Sequence, residues 1–124
     1  MGLLHRVVER IRSVASEEDP VLEDPTTAPA DSAAVPIADV VDRRRTTIQG
    51  RVRSLTLPTT TSVTALVVEI TDQSGAAQLV FVGRKAVPGI RCGVTLRAHG
   101  RVSIRGPHRI IYNPVYEIVP RRES

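Results

Sequence analysis

The sequence predicts an all-β domain, a small five-stranded Greek-key barrel, preceded by a short amphipathic helix and a flexible linker. Three observations predict it. From Ile37 onward the chain carries five β-rich runs bounded by turn residues, several of them alternating apolar and polar positions. Two of those runs hold a central glycine, which a sheet needs in order to bend round and close on itself. No stretch between them is long enough, or free enough of Gly and Pro, for more than a single helical turn.

The elements follow in chain order. Residues 2–16 place Leu4, Val7, Val8, Ile11, Val14 and Ala15 at helical spacing, with His5, Arg6, Glu9, Arg10, Arg12 and Ser13 mostly on the other side. This amphipathic helix, residues 1–16, either docks a protein partner or membrane surface or packs on its own domain. Residues 17–36 are acidic and hold four of the nine prolines, too little apolar surface to order themselves, so they read as a linker. Tethered as it is, this acidic segment is placed to compete for a basic face of the domain. The domain itself spans 37–120, and residues 121–124 are a tail.

The first strand, TTIQGRVRSLTL at 46–57, puts Ile48, Gly50 and Val52 on one face and Gln49, Arg51 and Arg53 on the other, and its Gly50 marks a bend or bulge. VTALVVEIT at 63–71 and AAQLVFV at 76–82 follow, joined by the tight-turn signal DQSG. VTLRAHGRVSI at 94–104 alternates most plainly: Val94, Leu96, Ala98, Gly100 and Val102 against Thr95, Arg97, His99 and Arg101. RGPH turns the chain into RIIYNPVYEIV at 109–119. There Asn113-Pro114 predicts an edge or a bulge, because proline cannot donate to a ladder.

Composition narrows the function. A chain of 124 residues suggests one domain with a modest core. No apolar run approaches the roughly 20 residues of a membrane span, the N-terminus lacks an apolar signal region, and Arg6 stands where a myristoylation signal wants Ser or Thr. The single Cys92 forms no internal disulfide, and a cytoplasmic location is expected, with Cys92 as a small buried or semi-buried filler. Charge is uneven. Residues 1–42 hold three Arg and nine acidic residues, a net −6; residues 43–124 hold fourteen basic and four acidic residues, a net +10. Sixteen of the 17 basic residues are Arg and only Lys85 is Lys, which a GC-rich genome alone would produce. The asymmetry between the two segments is the stronger sign, and clustered basic charge points to polyanions. The three His lie far apart, Cys92 has no Cys partner, no zinc spacing exists and no phosphate-loop motif occurs, so no enzyme, metal or cofactor is expected.

ITDQSGAAQLVFVGR resembles the strand-turn-strand of nucleic-acid-binding OB-folds, in which a D-x-(S/T)-G turn leads into a strand with alternate apolar residues, here Ala77, Leu79 and Phe81. PGIRCGVTLRAHGRV is similar to that family's next part. NPVYEIV resembles the ending of the wedge OB domain in RecG-type branch-migration helicases, but without their motor. A helix and linker before a solitary OB domain resembles small actinobacterial OB-fold proteins. The resemblance covers roughly 37–120. It implies that the last strand closes the barrel, with Tyr116 and Ile118 in the core. It also implies nucleic-acid binding, weak or structure-selective, in a role accessory to DNA repair or recombination.

OB domains bind oligonucleotides on strands two and three and on the loops after strands one and four. Those loops are TLPTTTSV at 56–63 and SIRGPHR at 103–109. The candidate contacts are Arg51, Arg53, Arg84, Lys85, Arg97, Arg101, Arg105, His108 and Arg109, with Arg91 nearby, and the Arg forks suit bidentate pairing with phosphates. Base stacking has little to work with: one Phe, two Tyr and no Trp. Phe81 falls on the apolar phase, which leaves Tyr112 as the stacking candidate. Single- or branched-strand DNA and RNA remain open as ligands, and so does a protein-interaction module docking through the barrel or the helix.

Overall fold

Strand β1 (Arg45–Thr56) hydrogen-bonds to two partners in succession, and that double pairing closes a barrel. Its first half, Arg45 to Arg51, lies antiparallel to β4 (Thr95–Arg105), and its second half, Arg51 to Thr56, lies antiparallel to β2 (Ala65–Thr71). β2 pairs with β3 (Ala76–Val82), β3 runs parallel to β5 (His108–Tyr112), and β5 returns to β4. The circuit β1-β2-β3-β5-β4-β1 is thus a closed five-stranded barrel that fits an OB fold, with β6 (Val115–Val119) continuing β5 along the same edge of β4. The computed structural model describes residues 33–58 and 63–120. The expected helix at 1–16, most of the linker, the middle of the Thr-rich loop and the tail at 121–124 lie outside the described residues.

The alternation in β1 and β4 fills the interior as expected. Ile48, Val52, Leu96, Ala98 and Val102 are buried in one cluster with Val68, Leu79, Phe81 and Ile111, while Gln49, Arg51, Arg53 and Arg101 are exposed. The two central glycines work by close approach. A Cβ on Gly50 would lie 2.9 Å from the Thr71 carbonyl oxygen, and one on Gly100 would lie 2.6 Å from Cγ2 of Ile111. The register shift in β1 falls between Val52 and Ser54, so Arg53 is the extra residue, three positions beyond the expected Gly50. The reason is that Val52 turns its amide to Val94 of the incoming loop and accepts from Gly93.

At Asn113-Pro114 the last strand gains one residue relative to β4 and splits into β5 and β6. Asn113 takes a positive φ of 50°, gives its amide to the Val80 carbonyl at 2.7 Å and accepts from Val82 through Oδ1 at 2.8 Å. A side chain here continues the β3 pairing that proline must end.

Both barrel ends are plugged by irregular segments. Val87 and Ile90 of the β3–β4 connection enter the core from one side, and Ile37, in a single 3-10 turn at Ile37–Asp39, enters it too. Tyr116 packs against that core with its ring edge-on to Phe81, centroids 5.6 Å apart, and donates its hydroxyl to the Pro88 carbonyl. Ile118 departs from expectation: it keeps the inward phase opposite Leu96 but is 42% exposed, since β6 pairs with β4 alone outside the closed circuit, and its end lies against Gly89. Cys92 is exposed rather than buried, its thiol directed to the Arg53 carbonyl at 3.6 Å.

The DQSG turn is a fastening point. One oxygen of Asp72 accepts from the Ser74 amide, the Ser74 hydroxyl and the Gly75 amide, and the other accepts from the Ile37 amide at 2.9 Å. The Ser74 hydroxyl oxygen in turn accepts from Ala38. Partial burial by itself pushes the Asp72 pKa up, but the hydrogen bonds from Ser74, Ile37 and Gly75 outweigh it and hold the carboxyl below its ordinary value.

Asp72→Ala is therefore expected to cost about 2 kcal/mol in urea unfolding, since it orphans several donors and frees the Ile37 plug. A loss below about 0.5 kcal/mol would mean that the turn holds without the carboxylate. The folded pKa is depressed, so this stabilisation is complete above the unfolded value of about 4 and fades as pH falls through the lower folded value. Gly50→Ala is expected to cost about 1–3 kcal/mol by pressing a methyl into the β2 backbone, and a neutral result in thermal unfolding would refute the close approach.

Candidate nucleic-acid interface

Strand β4 carries its basic residues on one face. Arg97, His99, Arg101 and Arg105 share the outward phase, since the residues between them face the core or its rim. At about 3.4 Å per residue the arginine row is roughly 27 Å long. β1 lies alongside with its own outward residues in register: Arg45 opposite Arg101, Thr47 opposite His99, Gln49 opposite Arg97, and Arg51 opposite Thr95. Residues 42–44 extend the same edge. The Arg43 amide donates to the Val102 carbonyl, the Val102 amide donates to Arg44, and the Ile104 amide donates to the Asp42 carboxylate. This wall of the barrel is a basic ridge two strands wide.

Few carboxylates offset it. Among the described residues Glu117 lies directly opposite Arg97 on β6, 3.7 Å from its Nε, and Glu69 lies 3.8 Å from Arg53. Asp42 is 3.9 Å from Arg43. These are solvent-exposed pairs worth about 0–1 kcal/mol each. No described carboxylate pairs with Arg51 or Arg101. Like charges held in register repel, and a bound polyanion relieves that repulsion.

His99 sits in the middle of the ridge. Its Nδ1 is 2.7 Å from the hydroxyl of the buried Thr47, and the tautomer decides which of the two donates. Burial, and then the charge of Arg45, push the His99 pKa below its ordinary value, so the ring is neutral at physiological pH.

The ten residues expected from sequence do not converge fully. Arg51, Arg97 and Arg101 lie on the ridge, and Arg53 adjoins it at the bulge. Arg105 and His108 face each other across the β4–β5 hairpin and extend the ridge to its tip. Arg109 has the opposite phase, opposite Ile104, and its guanidinium lies against Gly75 at the barrel end. Arg84 and Lys85 are exposed in the β3–β4 connection, beside Gly83, whose amide donates to Thr64 ahead of β2. Tyr112 is half-buried among apolar residues on the outside of β5. The loop expected at 103–109 is a two-residue turn, Gly106-Pro107, because the ladder runs to Arg105 and resumes at His108. Residues 59–62 of the other expected loop lie outside the described residues.

Sequence reading missed the run Arg43-Arg44-Arg45. Three consecutive arginines directly before a strand were signal enough, but only the β1–β4 pairing shows that they lie beside Arg101. The outward positions of β2 and β3 are Ala65, Val67, Glu69, Thr71, Ala76, Gln78, Val80 and Val82, with no Arg or Lys among them. The basic ridge on β4 and β1 therefore does not extend onto the β2–β3 face.

No family model matches the chain, and no curated protein does. Among solved structures it is similar to a replication factor A-related protein from Methanobacterium thermoautotrophicum, determined in solution by NMR. The TM-score is 0.54 at 19% sequence identity, covering 70% of this chain and 91% of that one. A likeness at that identity concerns the fold alone.

An NMR titration of His99 is expected to give a midpoint below 6.5, and Arg45→Gln is expected to raise it without restoring the full value, since burial remains. A wild-type midpoint at or above 6.5 would contradict the packed, charge-flanked ring. The depressed value also means that the neutral ring favours the folded state, a contribution lost as pH falls from about 6.5 through the lower folded value.

Proposed function

We propose that this chain is a non-catalytic, cytoplasmic nucleic-acid-binding module that grips phosphates along the β4 ridge. The observation that carries the reading is the row Arg97, Arg101 and Arg105 on one strand face, with Arg45 opposite Arg101. Guanidinium groups spaced along a rigid strand suit a backbone of regularly spaced phosphates, and each contact releases counterions. The closed OB-type barrel and its likeness to a replication factor A-related protein support the class.

The ridge positions a strand without reading bases. Phe81 is buried, Tyr116 is packed against it and Tyr112 is half-buried against the apolar cluster of β2, β3 and β5, so the arginines have no open aromatic platform of their own. The binding is electrostatic and modest in affinity, and a branched or structured nucleic acid suits it better than a stretched single strand. A role accessory to DNA repair or recombination belongs to the same proposal. A protein-docking module is the second reading, favoured by the apolar outer wall of β2, β3 and β5.

Fluorescence anisotropy at two salt concentrations, with single-stranded DNA, single-stranded RNA, duplex and three-way-junction probes, tests the proposal. Affinity is expected to fall steeply with salt. Arg51→Glu/Arg101→Glu is expected to weaken binding at least about tenfold and to lower the salt slope by about 2. Arg105→Glu/Arg109→Glu, only one of whose residues is on the ridge, is expected to cost less. Unaltered affinity in the first variant, or no binding to any probe at low salt, overturns the reading.

A further inference from the structure

The outer wall formed by β2, β3 and β5 is built like an interior. Ala65 and Val67 on β2 alternate with the core residues Leu66 and Val68, Val80 on β3 lies between Leu79 and Phe81, and Ile110 on β5 precedes the core residue Ile111. All four therefore point outward, yet none is more than 4% exposed. Cross-strand register makes them one patch: Val67 is opposite Val80, Ala65 opposite Val82, and Val80 opposite Tyr112. Val63, Val82 and Tyr112 pack around it.

Beside the patch is Gln78, 4% exposed and opposite both Glu69 and Ile110. Its amide nitrogen donates to Glu69, but its buried Oε1 accepts nothing among the described residues. A buried acceptor without a donor is costly, so this edge of the wall points to a covering element.

The main described neighbours of this wall are lateral: β1 and β4 are ladder neighbours of its outer strands, Val63 packs at its rim, and the 3-10 turn that also touches β3 sends Ile37 into the main core. The chain outside the described residues holds a matching surface. Leu4, Val7, Val8, Ile11, Val14 and Ala15 form a single apolar stripe at helical spacing, about 22 Å long if helical throughout residues 2–16. The described chain begins beside β1, where the Val35 amide donates to the Thr47 carbonyl. Residues 17–32 between the two span roughly 20–24 Å as a flexible coil and more when extended, enough to cross a small barrel. They carry six acidic and no basic residues, which suits a path over a body of net +10.

We propose that residues 2–16 dock in cis, stripe inward, on the patch formed by Ala65, Val67, Val80 and Ile110. The β2–β3 face, where OB domains commonly bind oligonucleotides, is then occupied by residues 2–16 of the same chain, and a nucleic acid is left the arginine ridge on β4 and β1. The inference stands apart from the nucleic-acid reading, and its test contains no nucleic acid.

The experiment uses the full chain with Cys92→Ser and Ser13→Cys, a nitroxide on Cys at position 13, and amide signals read by NMR. Position 13 is on the polar side of the stripe. Val67 and Val80 are expected to broaden more strongly than Arg97 and Arg101. Val8→Asp/Ile11→Asp is expected to abolish that difference and to raise binding of a hydrophobic dye, whereas Glu9→Gln leaves both unchanged. Strongest broadening on β4, no selective broadening, or persistence in the stripe variant each overturns the proposal. Broadening that appears only when spin-labelled and isotope-labelled copies are mixed overturns it too, assigning the patch to a second copy.

Discussion

Strand β4 is hydrogen-bonded along both edges, and the barrel exists because of it. Over Thr95–His99 it pairs with β1 on one side and β6 on the other, and over Val102–Arg105 it pairs with β5 while residues 42–44 continue the β1 side. A strand with both ladders satisfied leaves no open edge there for another chain to join. The double pairing makes its neighbours bend. β1 must leave β4 for β2, which brings Gly50 within a Cβ's reach of the Thr71 carbonyl and places a bulge at Arg53. The last strand must stay with β4 after leaving β3, which brings Gly100 against Ile111 and places an extra residue at Asn113-Pro114.

The same constraint sorts the surface. With one face of β4 committed to the core, everything polar on that strand must stand on the other. Arg97, His99, Arg101 and Arg105 are therefore aligned by strand period alone, and pairing with β1 sets Arg45 and Arg51 beside them. The wall of β2 and β3 has the reverse character. β2 and β3 are buried on both sides, and their near-continuous apolar runs, ALVV and LVFV, reflect that. The barrel thus has one wall suited to anions and one suited to apolar cover.

Those runs also show where pattern reading stops. A strand that alternates declares its inner face, and for β1 and β4 Ile48, Val52, Leu96, Ala98 and Val102 were legible, while Ile104 at the rim was not named. A strand apolar on both faces declares only that it is buried, so Ala77, Leu79 and Phe81 were assigned correctly while Val67, Val80 and Ile110 went unnoticed as a second cluster. Ile118 shows the complementary error: its phase was right, but phase does not reveal that β6 pairs with β4 alone and lies outside the closed circuit. Cys92 was expected inside on residue type alone, and the path of the β3–β4 connection left it outside.

The amino-acid sequence by itself determined five strand runs with their breaks, the Asp72 turn, the proline bulge and the charge division between leader and body. These depend on local chemistry: alternation, turn residues, a missing amide proton. Only the tertiary structure decided which arginines share a wall. Arg45 and Arg101 are 56 positions apart in the chain and opposite each other in the ladder, whereas Arg109 is separated from the ridge by a single step of strand phase. Register is a long-range property set by barrel closure, and no spacing within one strand encodes it.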